Sequence, residues 1–316
     1  MTDRTTVENE VDSDSGRFNR QTSEFRRWVS TDGSTDFPAE AGRYHLYVCL
    51  ACPWAHRAII TRRIKGLEDA ISMSLVDPIR DEKGWRFGDA PGSEPDPLHG
   101  WDYLSEAYEA TDPGYDARVT VPVLWDTETG VIVNNESADV IRMLNNEFDE
   151  LADHDVDLEP AALRDEIAEL NAHVYQTVND GVYQCGFAGS QKAYEEAFGP
   201  LFATLDELER RLADRRFLMG DQLTLADIRL FTTVVRFDPV YTLHFRCNLR
   251  RIIDYPNLWG WVRDVYQWPG IADTVSIEHI KRHYYCTHES LNPKRIVPVG
   301  PDIDYTTPHG REALAG

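Results

Sequence analysis

The chain has 316 residues, enough for two domains with substantial cores. Its 32 Lys and Arg against 54 Asp and Glu leave a formal charge of −22, a field that repels nucleic acid and anionic membranes and argues against both as partners. A hydrophobic content of 42% is too high for a disordered acidic chain, so the charge belongs on the surface of a folded protein. That surface reads as adaptation to a salty cytoplasm, with ordinary acidic solubility as the alternative. It predicts a fold that needs salt to relieve self-repulsion; a melt equally stable in dilute buffer and in molar salt would contradict this.

Residues 1–16 are polar and acidic, read as a disordered leader without the apolar core of a signal peptide. No later stretch approaches the roughly 18 apolar residues of a membrane span, so the expected location is the cytoplasm. GRFNRQTSEFRRWV then offers Phe18, Phe25, Trp28 and Val29 for packing, with Arg20, Arg26 and Arg27 among them. Tyr44 to Cys49 is β-branched and aromatic and predicts a buried strand. After Cys52, Pro53 fits the first turn of a helix carrying Trp54, Ala58, Ile59 and Arg62. The unpaired N–H groups and positive dipole end of that helix stabilise a thiolate, which makes Cys52 a candidate nucleophile. A small buried cysteine acting as a hydrophobe is the competing reading, which the order strand, Cys-Pro-aromatic, helix disfavours.

A second strand is expected at 70–76, giving a βαβ unit with a parallel pair. Residues 77–117 read as a long Gly, Pro, Asp and Trp-rich loop, of a length that is usually functional or disordered. VTVPVLWD and GVIVNN read as a hairpin turned at DTETG. A proline inside the first strand requires an edge or a special bond, so Val121-Pro122 is a candidate cis peptide. Asn135, Glu136 and Ser137 then cap a helix over about 138–147. The order βαβ then ββα resembles a thioredoxin-like domain, in which a cis-proline faces the helix-start cysteine.

From about 160 the apolar spacing is helical throughout, and Thr224 with Asp227 forms a capping box. Beyond 290, spaced prolines predict an extended tail. The boundaries are therefore a thiol-binding thioredoxin-like domain with an N-terminal extension over 17–150, an all-α domain over 151–289, and a tail over 290–316. Five cysteines, at 49, 52, 185, 247 and 286, argue against a secreted disulfide framework. His279, His283, Cys286 and His288 could be drawn as a metal site, but Lys281 and Arg282 beside them oppose a cation, and no metal is expected.

LACPWAHR, GWRF, RVTVPVLWD, NNES, NDGVYQCGFA, RFDPVY and IKRHYYCTHESLNP occur in that order between 50 and about 293. As a set they resemble the glutathionyl-hydroquinone reductases, the Xi class of glutathione transferases. The resemblance implies the glutathione transferase fold, a homodimer and a thiol co-substrate. It also implies removal of glutathione from glutathionylated hydroquinones in two thiol-exchange steps. Cys52 matches the nucleophile and Tyr183 the proton donor, while Tyr241 and Tyr284 match tyrosines whose hydroxyls donate to the sulfur. Trp85 matches a residue that packs on glutathione. Arg118, Val119, Thr120 and Val121 match the stretch whose backbone pairs with the cysteinyl part, and Glu136 and Ser137 match the γ-glutamyl site. Taken singly, each tyrosine reads as a half-buried aromatic.

Cys49 forms a C-x-x-C with Cys52, yet the helix begins after Cys52 and Ala55 occupies the position where a glutaredoxin-like CPxC has its second thiol. The expectation is single-thiol chemistry, with Cys49 facing the core. In a halophilic archaeon γ-glutamylcysteine would stand in for glutathione. A glutaredoxin-like exchange enzyme, a conjugating transferase and a non-catalytic binding module are the other readings. A helix-start cysteine disfavours the conjugating transferase, and tolerance of Cys52 loss would mark the binding module.

Overall fold

The structure, a computed structural model, describes residues 10–314, which fall into two units. The first comprises Gln21–Asp157 and Asp273–Arg295, the second 10–20, Leu158–Ala272 and 296–314. In the first, β1 (Tyr44–Val48) is parallel to β2 (Ile71–Leu75), and β3 (Val123–Asp126) is antiparallel both to β1 and to β4 (Val131–Asn134). The order β2-β1-β3-β4 makes β1 central, consistent with YHLYV being buried at every position. Tyr44 sits opposite Ile71 on one side and Asp126 on the other. The Val121–Pro122 bond is cis, and β3 begins just after it.

Helix α1 (Pro53–Lys65) starts with proline at its first position and Cys52 as its extended N-cap. It stops at Gly66, whose φ of 67° lies in the left-handed region that a side chain resists. Arg62, Arg63 and Lys65 in the last turn complement the negative end of its dipole. A short α2 (Ser105–Thr111) interrupts the segment read as loop: seven residues are too few for a periodic pattern, and Ala107 and Tyr108 bury it beside β4. α3 (Ser137–Asn146) packs on α1.

The second unit carries α4 (Arg164–Val174), α5 (Gly181–Gly186), α6 (Gln191–Arg211), α7 (Leu225–Val234), the single turn α8 (Thr242–His244) and α9 (Pro256–Tyr266). Two wide π-turns, Tyr175–Asn179 and Phe237–Tyr241, interrupt the helical path. Pro239 accounts for the second: it has no N–H to donate, and the Tyr241 N–H reaches five residues back to the Arg236 carbonyl at 3.4 Å. The capping box at Thr224 and Asp227 is present, and the carboxylate does more than cap. Asp227 is fully buried and accepts from the Leu218 N–H, Thr224 N–H, Thr224 hydroxyl and Trp261 indole at 2.9–3.0 Å. Asp227→Ala strands these donors and is expected to cost about 4 kcal/mol in a urea melt; a loss below about 1 kcal/mol would contradict this reading.

Three boundaries differ from those read in the sequence. Residues 17–20 belong with the helical unit, 151–157 belong with the sheet, and α10 (Ile277–Thr287) returns to the sheet unit, because membership is set by packing between distant segments. Of the supposed disordered leader, 1–9 lie outside the described residues, whereas 10–16 form a turn: Asp12 accepts from Ser15, and Val11 bridges Phe18. Beyond Arg295 the chain carries no strand or helix until a short 3-10 turn at Glu312–Leu314, and Tyr305 donates to the Val235 carbonyl.

Two buried histidines make stability pH-dependent. His45, whose Nδ1 lies 2.7 Å from Ser72 Oγ, and His244 both titrate at about 4 rather than 6.5, because burial penalises the imidazolium. The folded state then binds fewer protons than the unfolded one between these values, so stability is full above 6.5 and falls as pH drops toward 4. About 2 kcal/mol per histidine should be lost between pH 7 and pH 5 in denaturant melts, and a flat profile would contradict the assignment.

Candidate active site

Cys52 closes the link between β1 and α1. Its N–H donates to the Cys49 carbonyl at 3.1 Å, and its carbonyl accepts from His56 at 3.0 Å, which fixes the sulfur at the helix start. Cys52 is 8% exposed and its thiol donates to the Val121 carbonyl at 3.6 Å, so the residue before the cis-proline faces the cysteine. Cys49, one residue past β1, is fully buried, and all five cysteines are free thiols.

The four residues expected to receive the cysteinyl part differ in what their backbones already do. Arg118 donates its N–H to Gln21 at 3.0 Å, and its carbonyl accepts from Gln21 and Tyr115. Thr120 is held through both N–H and carbonyl by the Tyr108 hydroxyl, at 3.2 and 2.8 Å. Val119 lies between these braced residues, and Val121 is the one set against Cys52. Gln21 and Tyr108 carried no signal in the sequence, since their role exists only after residues about a hundred or a dozen positions apart meet.

Glu136 is the N-cap of α3: its Oε1 accepts from the Ala138 N–H at 3.0 Å and its Oε2 from the Ser23 hydroxyl at 3.0 Å. Ser137, the first helical residue, is buried and accepts from the Arg57 guanidinium at 3.3 Å. A carboxylate, a hydroxyl, helix-start N–H groups and a cation therefore meet at one helix end, a set able to take an amino acid's ammonium and carboxylate together.

Trp85 is buried in the loop after β2, its ring stacked on His283 of α10 at 5.2 Å, with the Arg80 guanidinium 5.2 Å from its centroid. His283 donates through Nδ1 to the Pro78 carbonyl at 2.6 Å, and His279 through Nε2 to the Pro91 carbonyl at 3.0 Å. These histidines tie α10 to the loop. Among the described residues no group of three or more His, Cys, Asp or Glu gathers as a metal site. Tyr284, also on α10 and buried, edges against His283 and His288.

The other two tyrosines belong to the helical unit. Tyr183, on α5 after the first π-turn, is 8% exposed; Tyr241 ends the second π-turn and is fully buried. Their ring centroids lie 6.1 Å apart, and Phe245 stacks on Tyr241 at 5.3 Å. Gly186 is required for this packing, because a Cβ there would stand 2.3 Å from the Phe245 ring.

Two family models match, described as the N-terminal and C-terminal domains of glutathione S-transferase, over residues 51–147 and 191–264. The chain is 51% identical to the glutathionyl-hydroquinone reductase YqjG of Escherichia coli, over 96% of this chain and 95% of that protein. It is 52% identical to the glutathionyl-hydroquinone reductase PcpF of Sphingobium chlorophenolicum, over 92% and 91%. Among solved structures, the Xi class glutathione transferase of Natrialba magadii is 52% identical with a TM-score of 0.91, covering 92% of this chain and 89% of that one. The glutathione-bound structure of the Escherichia coli protein gives 0.89, covering 92% and 96%. The chain therefore belongs to the glutathionyl-hydroquinone reductases, the Xi class of the glutathione S-transferases.

Proposed function

We propose that this enzyme removes glutathione from S-glutathionylated hydroquinones, releasing hydroquinone and glutathione disulfide. The observation that carries the reading is Cys52, held at the start of α1 with its sulfur against the residue before a cis-proline. In the first step the Cys52 thiolate attacks the thioether sulfur, a sulfur–sulfur bond forms, and the carbon–sulfur electron pair leaves with the aromatic carbon. Carbon is a poor leaving group unless it is protonated as it departs, and Tyr183 supplies that proton. In the second step a glutathione thiolate attacks the glutathionyl sulfur, leaving as glutathione disulfide and regenerating the Cys52 thiolate. The aromatic ring gains the electron pair and a proton, while the two glutathionyl sulfurs are oxidised to the disulfide.

Tyr241 and Tyr284 donate to the reacting sulfur. Trp85 packs on the thiol, Val121 with Arg118, Val119 and Thr120 receives its cysteinyl part, and Glu136 with Ser137 takes its γ-glutamyl end. The enzyme works as a homodimer in the cytoplasm, without a metal, and in a halophile γ-glutamylcysteine replaces glutathione. Among the described residues no helix is long and apolar enough to cross a membrane.

The test is hydroquinone release in molar salt from glutathionyl- and γ-glutamylcysteinyl-hydroquinone, each with its own thiol as co-substrate. Release with either supports the reductase, and a strict requirement for glutathione's glycine would end the γ-glutamylcysteine proposal. A folded protein that releases nothing with either thiol would overturn the reading in favour of disulfide exchange or a binding module.

A further inference from the structure

Arg20 comes from the N-terminal segment of the helical unit, far in sequence from the tyrosine it meets. Its guanidinium carbon lies 4.5 Å from the Tyr183 ring centroid and 5.2 Å from that of Phe18. Its Nε donates to Asp180 Oδ1 at 2.5 Å, and the other oxygen of that carboxylate accepts from Gln184 at 2.9 Å. Asp180, three residues before Tyr183, accepts the Tyr183 N–H through its backbone carbonyl at 2.9 Å while its carboxylate holds the guanidinium, so one residue ties the cation to the turn that carries the ring. Only 15% of the Arg20 side chain is exposed, which keeps water from screening the pair.

We infer that Arg20 is a positioning residue for Tyr183: clamped by Asp180 over the ring, its charge stabilises the phenolate left when the hydroxyl gives up its proton. This rests on the reading of Tyr183 as the proton donor. Burial works against the Arg20 charge, but Asp180 and then Tyr183 outweigh it, and its pKa is raised, so the cation persists throughout the working range. The charged and titratable groups near the pair include Asp180, the N-cap of α5, Tyr175 from the first π-turn, Tyr241 from the second, and Arg246, which donates to the Cys185 and Gly186 carbonyls at the end of α5.

A cation over an aromatic ring is worth from about 0.5 kcal/mol when exposed to about 2 kcal/mol when desolvated, so Arg20→Met should lower kcat by roughly twofold to thirtyfold with KM for the conjugate little changed. The basic limb of the kcat profile, where Tyr183 loses its proton before it can donate it, should move to higher pH. Arg20→Lys keeps a charge and should recover part of kcat and return the limb toward its wild-type position. Because Arg20→Met leaves Asp180 buried without its partner, the double variant Arg20→Met with Asp180→Asn serves where the single one folds poorly, with the same expected kcat loss. In a Tyr183→Phe background the Arg20→Met change should have no further effect on kcat, which a merely structural role would not produce. If Tyr183→Phe alone leaves kcat intact, the proton-donor reading fails and this inference falls with it. If Tyr183→Phe lowers kcat but Arg20→Met and the double variant keep both the wild-type kcat and the wild-type limb, the inference alone is overturned.

Discussion

Cys52→Ala is expected to reduce hydroquinone release to the background rate, a loss on the order of 10⁴-fold or more, as deletion of a covalent nucleophile does elsewhere. The proposed scheme forms the mixed disulfide on Cys52 alone, and Cys49, three residues before it, is fully buried. Folding should be unaffected: Cys52 caps α1 through its backbone conformation and makes no side-chain cap bond, so alanine gives up only the 3.6 Å contact with the Val121 carbonyl. Cys52→Ser sharpens the result, since a hydroxyl occupies the same position but forms no disulfide. Steady-state release measured beside thermal melts would check this, and a well-folded Cys52→Ala enzyme with substantial turnover would contradict it.

Tyr183→Phe should lower kcat by about 10²- to 10³-fold while leaving KM within a fewfold, the signature of an interaction made in the transition state. The substitution removes one oxygen and keeps the ring, so contacts to Phe18, Tyr241 and Phe245 persist and stability should change little. The carbon still has to be protonated, and water is a slower donor than a positioned phenol. The check is kcat for both enzymes across pH, where the variant should also lack the basic limb. A kcat within threefold of wild type would remove Tyr183 from the chemistry.

What the sequence disclosed is what neighbouring residues decide. Strand β1, Pro53 at the first helical position, the cis bond at Val121–Pro122 and the Thr224–Asp227 box each depend on a few adjacent side chains. The place of Cys52 at the start of α1 is legible for the same reason. Features that depend on tertiary contact were not. α10 joins the sheet unit through His283 on Trp85 and His279 on Pro91, nearly two hundred residues away, so reading along the chain placed it with the preceding helices. Arg20 stood in the sequence only as one of several arginines in an aromatic segment; its pairing with Asp180 spans 160 positions. The braces at Arg118 and Thr120 likewise need Gln21 and Tyr108 brought alongside. Arg57 did lie inside the LACPWAHR motif, yet only the fold of α1 against α3 shows that it reaches Ser137.

In the proposed reaction Cys52 takes the glutathionyl group. One equivalent of glutathionyl-hydroquinone, mixed with reduced enzyme in the absence of free thiol, isolates the first step. The expected result is one equivalent of hydroquinone, together with an intact mass raised by a single glutathionyl group that maps to Cys52 and is removed by added thiol. Hydroquinone released from an enzyme that stays unmodified, or an adduct on any other cysteine, would contradict it.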